Sequence, residues 1–171
     1  MLPNDTTRRS FVELVGSGVA LGGGATGVVG SASNGRFRAT LSPARGADTN
    51  ARGTALFDVG PDENRLDYRL VVADVEGVTD AHIRLHIGGI PENPPPEDLV
   101  AWLYPHDGPS GDHIPGRFSG VLAAETITDD DVTGHLDGSL DDLLEWIRSG
   151  DAFVRVDTSQ FEDGALTGDI R

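Results

Sequence analysis

The chain has 171 residues, no cysteine and a net charge of -15, from 28 acidic residues against 13 basic ones that are all arginine. Without cysteine there is no disulfide, no thiolate metal site, no thiol nucleophile and no lipid-anchored cysteine. The charge argues against nucleic acid as a partner, because phosphates are bound by clustered cations.

The acids are dispersed and dominated by aspartate, with 20 Asp against 8 Glu, and lysine is absent. Such a surface suits molar salt, where the Debye length falls to about 3 Å and carboxylate repulsion costs little. A halophilic source is therefore expected, and most of the acids serve solvation. Contents of 23 Gly and 10 Pro point to a turn-rich, mainly β domain.

In chain order, Arg8 and Arg9 stand just before Phe11 and a weakly apolar, glycine-rich run from Val12 to Val29. Small residues around Ser31–Ser33 would suit a signal peptidase. This resembles a twin-arginine export signal over residues 1–32, removed on export, and the run is too polar for a good spanning helix. Those residues hold two arginines and two acids, so their removal leaves the charge at -15.

From Arg36 the pattern is strand, turn, strand. "RFRATLS" sets Phe37, Ala39 and Leu41 against Arg36, Arg38 and Thr40. "GTALFDV", the turn "GPDEN" and "RLDYRLVVADV" follow, and a turn over Val75–Thr79 separates the last from "TDAHIRLHI". "DLVAWLY", "RFSGVLAAETI", "AFVRVDT" and "GALTGDI" complete eight short strands, the mark of an antiparallel sandwich or barrel. One helix is expected at about 139–149. Ser139 caps it with Asp142 three residues on, Leu140, Leu143, Leu144 and Ile147 form an apolar face, and Gly150 ends it.

"HIRLHI" carries His82, Arg84 and His86 on one face of a strand. At about 3.3 Å per residue His82 and His86 stand roughly 13 Å apart, too far for one ion to join them. His82, His86, His106 and His113 are weak metal candidates that folding would have to unite. If "AFVRVDT" lies beside this strand, Asp157 faces His82 or Arg84 and Arg155 faces an acid. These four form a polar cluster whose cross-strand pairs are worth about 0.2–1 kcal/mol each. "YPHDGPSGDHIPG" places His106, Asp107, Asp112 and His113 in a Gly/Pro loop that reads as solvated. "TDDD" lacks the calcium-loop frame, and Thr128 before three acids reads as a helix start. "GIPENPPPED" is a stiff polyproline connection. No nucleophile elbow and no nucleotide-binding glycine pattern is present.

The ordered set "RFRATLS", "GTALFDV", "LDYRLVVADVEGVTDAHIRLHIG", "LVAWLY", "LDDLLEWIRSGDAFVRVDT" and "GALTGDI" resembles the chordin-domain (CHRD) family over residues 36–171. The resemblance implies an immunoglobulin-like antiparallel β-sandwich, as in exported microbial members, here from a halophilic archaeon. Family members read "HIHxG" after the third strand. This chain keeps the first histidine as His82 and has Arg84 in place of the second. In the family's closing "YVNVHT…GEIRGQ", Arg155 and Asp157 stand for the Asn and His, and Gly164–Asp169 lose the acid and the arginine.

The expected function is a non-enzymatic exported module at the cell surface or outside the cell, with an unidentified protein or glycan partner. No cofactor and no membrane span of the mature protein are expected. The alternative is an extracellular copper or zinc protein using His82 with other histidines.

Overall fold

The computed structural model describes residues 35–86, 99–109, 111 and 113–171. The export-signal reading, Arg8 and Arg9 included, lies outside the described residues, as do the whole polyproline stretch and Asp112.

Seven strands and one α-helix are described: β1 (Arg36–Pro43), β2 (Arg52–Val59), β3 (Leu66–Leu85), β4 (Leu99–Tyr104), β5 (Ile114–Ile127), α1 (Leu140–Ser149), β6 (Ala152–Thr158) and β7 (Leu166–Asp169). Every pairing is antiparallel. The two segments expected on either side of a Val75–Thr79 turn are one strand. Asp74 and Gly77 adopt positive φ of 58° and 65°, and the β3–β5 register slips between Val72 and Val75 and again between Glu76 and Val78. The chain therefore bends through bulges without reversing.

That bend organises the fold. Before it β3 lies between β2 and β5, and after it between β6 and β4. β1 likewise pairs first with β2 and then with β7. Following the pairings from β1 through β2, β3, β6 and β7 returns to β1, so the sheet closes into a barrel-like arrangement. The all-β expectation holds. With β4 and β5 attached through β3, all seven described strands belong to one hydrogen-bonded sheet.

Period-two alternation fills the interior. Ala39, Leu41, Ala55, Phe57, Leu66, Leu70, Val72, Ile83, Leu85, Val154 and Val156 are buried, and their neighbours on β1 and β2 face outward. α1 forms as read. The Ser139 hydroxyl accepts the Asp142 N–H, Gly150 closes the helix at φ 83°, and Leu140, Leu143, Leu144 and Ile147 are buried. Thr128 does start a helical turn, a 3₁₀ turn over Asp129–Asp131, and the Asp129 carboxylate accepts the Leu140 N–H at 2.9 Å. Among the described residues no helix is long and apolar enough to cross a membrane.

Candidate functional site: a buried polar strip on β3 and β6

The register of β3 against β6 pairs Asp80 with Asp157, His82 with Arg155 and Arg84 with Phe153. Directly opposed residues share a face. His82, Arg84, Arg155 and Asp157 thus meet on one side, with Asp80 beside them. The interior side of the same strands carries Ala81, Ile83, Val154 and Val156. The strip is not a solvent face: His82 is 2% exposed, Asp157 5%, Arg155 8% and Arg84 9%. Trp102 on β4, opposite His82 in register, sets its ring edge-on to the imidazole at 5.6 Å between centroids.

The hydrogen bonds assign the protons. Arg84 Nε donates to His82 Nε2 at 2.8 Å, so Nε2 is the bare nitrogen and the ring proton sits on Nδ1. Nδ1 lies 3.1 Å from Asp80 Oδ1 but off the direction a hydrogen bond needs, which leaves this buried donor electrostatically matched and geometrically unsatisfied. Arg155 grips Asp157 with Nε at 2.6 Å and Nη2 at 2.9 Å, and Nη2 also donates to the Glu162 carbonyl at 2.7 Å. Asp157 Oδ2 is 3.9 Å from His82 Nε2.

Burial pushes the Asp157 carboxyl up to about 7. Arg155 pulls against this, and the charge of Asp80 and a hydrogen bond with it add to the rise. Burial also raises Asp80, but the adjacent His82 imidazole, Thr79 and a hydrogen bond with Asp157 outweigh it and hold that carboxyl low. His82 is held below its ordinary value, first by burial and then by Arg84 and Arg155, with Asp80 opposing. Near neutrality the strip therefore holds a neutral imidazole, two guanidinium groups and a carboxyl pair that shares a proton.

The sign of the resulting pH dependence differs between its members. Asp157 is raised above its unfolded value of about 3.9, so its contribution is full below pH 4 and is lost as pH rises towards 7. His82 is lowered, so its contribution is present above about pH 6.5 and fades as pH falls. The two oppose each other in the wild type. Subtracting the stability of Asp157→Asn from that of the wild type isolates the aspartate. We expect this difference to grow in favour of the wild type between pH 7 and 4, by at most about 1.4 kcal/mol per pH unit. Urea titrations at constant molar salt measure it, and a flat difference would mean that Asp157 does not hold its proton in the folded state.

The other histidines lie apart from His82. His86 stacks on Phe153 at 4.4 Å and pairs with Asp169 at 3.1 Å, His106 lies 3.4 Å from both the Tyr68 hydroxyl and Asp131, and His113 is exposed ahead of β5. Strand spacing keeps His82 and His86 separate, and the other two candidates, His106 and His113, sit in other segments. Among the described residues, one group of three His/Cys/Asp/Glu side chains brings its donor atoms within 4.8 Å of one another, and it is Asp80, His82 and Asp157. Asp80 and Trp102 escaped the sequence reading. The period-two run Asp80, His82, Arg84 was the signal for the first; nothing local marked the second, which depends on the register of β4.

The chain matches the family model of the CHRD domain over residues 37–170. The protein belongs to the CHRD family. No curated protein and no solved structure gave a match.

Proposed function

We propose that this protein is an exported, non-enzymatic CHRD module of a salt-adapted microbe, acting at the cell surface or outside the cell by binding a protein or glycan. One observation carries this reading. The groups best suited to acid–base work are buried and paired to one another on β3 and β6, and so are closed to a substrate. The asparagine and histidine of the family motif are replaced here by Arg155 and Asp157, a matched ion pair. The immunoglobulin-like form that the resemblance implies is supported by β1 and β3, which change partners and are the corners at which the closed ring could be divided into two facing layers.

A second reading rests on the donor triad. A first-row divalent ion between one ring nitrogen of His82 and one oxygen each from Asp80 and Asp157 would find donor atoms within 4.8 Å of one another. It would use carboxylates where the sequence suggested further histidines. Two arginines already satisfy Asp157 and His82, and their charges oppose a third cation, so this reading ranks second.

Fractionation of cells making the full chain tests both readings. The protein is expected in the medium or on the cell surface, trimmed near residue 32 and without stoichiometric metal by elemental analysis, while Arg8→Lys/Arg9→Lys stays inside. Wild-type protein retained untrimmed in the cytoplasm would overturn the export reading. Stoichiometric copper or zinc that is lost in His82→Ala would put the metal reading first.

A further inference from the structure

The bend in β3 leaves a gap in the ladder. β2 and β5 both pair with Leu66–Val72, and so lie on opposite edges of β3; β5 and β6 both pair with Val78, and so do they. β2 and β6 therefore share one edge. β2 leaves it at Ala73 and β6 joins it at Val78, and among the described residues no strand covers that edge between them.

A cavity of about 410 Å³ occupies the gap. The loop into β2 supplies Asp48 and Asn50, the bulge supplies Asp74 and Glu76, β5 supplies Arg117, and the turn after β6 supplies Gln160 and Phe161. Buried Ala51, Val75 and Ala165 form its apolar base. Asp74 is engaged by Arg52 at 4.0 Å. Asn50 and Gln160 are exposed, and among the described residues neither side chain hydrogen-bonds to protein. Phe161, whose main chain is held by hydrogen bonds of its N–H and carbonyl to Thr158, places a half-exposed ring in the lining.

The chemistry of the lining narrows the ligand. Three carboxylates against one arginine repel an anion. The carboxylates are not among the side chains whose donor atoms converge closely enough to hold one ion, so a bare cation does not explain them. Planar amides and carboxylates around an apolar base, with an aromatic ring at the side, match a ligand that has many hydroxyls and one apolar face. We infer that this cavity is a carbohydrate-binding site that takes the end of a neutral glycan. The inference rests on the proposed role as a binding module and names its site and ligand class.

The secreted protein, kept in molar salt, is tested against an immobilised panel of neutral, amino and acidic oligosaccharides and against whole cells. Asn50→Ala/Gln160→Ala removes two exposed amides without touching the fold, and Phe161→Leu removes the ring; thermal melts check that each variant is folded. The wild type is expected to bind neutral oligosaccharides, and the double variant to bind them about tenfold more weakly, the loss of two hydrogen bonds. Equal binding by the wild type and both folded variants would remove the cavity from the interaction while leaving a binding module. Adsorption to cells without binding to any oligosaccharide would overturn the glycan assignment and favour a protein partner. Binding to neither would overturn the cavity and the binding-module reading together.

Discussion

Replacing Arg155 by methionine is expected to destabilise the protein most above neutral pH, where Asp157 is ionised, and by up to about 3–5 kcal/mol at pH 9, the cost of stranding a buried charge. Arg155 is the bidentate partner of Asp157 and also ties β6 to the turn that follows through the Glu162 carbonyl. Once it is gone, Asp157 escapes only by taking a proton. Asp157 already titrates near neutrality, so the penalty should shrink at pH 5, where the carboxyl is neutral in both proteins. The double replacement Arg155→Met/Asp157→Leu should recover most of the loss, because matched apolar substitution of a buried pair is often close to neutral. Urea denaturation at constant salt measures all three. A cost no larger than that of Arg36→Met, whose ion pair with Asp58 is mostly exposed, would show that the strip is energetically a surface feature.

The strip also shows how far the sequence could be read. Alternation in "AFVRVDT" and "HIRLHI" is a local property, so both strands and the shared face of His82, Arg84, Arg155 and Asp157 were legible. α1 was equally legible, because Ser139, its four spaced apolar residues and Gly150 each act within a turn of the helix. What was not legible depends on contacts distant in sequence. The bulge at Asp74–Gly77 has the composition of a turn, and only pairing with β5 on one edge and with β2 and β6 on the other shows that the strand continues. Burial of the strip was hidden for the same reason. A strand with charged residues on one face reads as half-solvated, and here Trp102 and the β6 partners cover that face. The energetic scale then changes, from pairs worth tenths of a kcal/mol to charges whose partners cannot be removed singly.

The second large effect is expected at Gly168, where β7 meets β1. A Cβ built there would lie 2.3 Å from the Thr40 carbonyl oxygen and 2.9 Å from Leu41 Cδ2. The first neighbour is backbone in a paired strand and cannot swing aside, so β7 must withdraw from β1 at the seam that closes the ring. Gly168→Ala should cost about 3 kcal/mol or more, at the upper end of overpacking, and Gly168→Val more still. Gly46→Ala provides the contrast. Its Cβ would meet open space, and only the left-handed backbone at φ 92° opposes it, at about 1–2 kcal/mol. Hydrogen exchange separates the two mechanisms. The Arg38 and Arg171 amides bond to each other's carbonyls across β1 and the C-terminal end, so they report on the seam directly. Their protection should collapse in Gly168→Ala and survive in Gly46→Ala. If both amides stayed protected in a destabilised Gly168→Ala, the strain would have to be absorbed on the β6 side of β7, and closure of the ring would not depend on the close approach of β7 to Thr40.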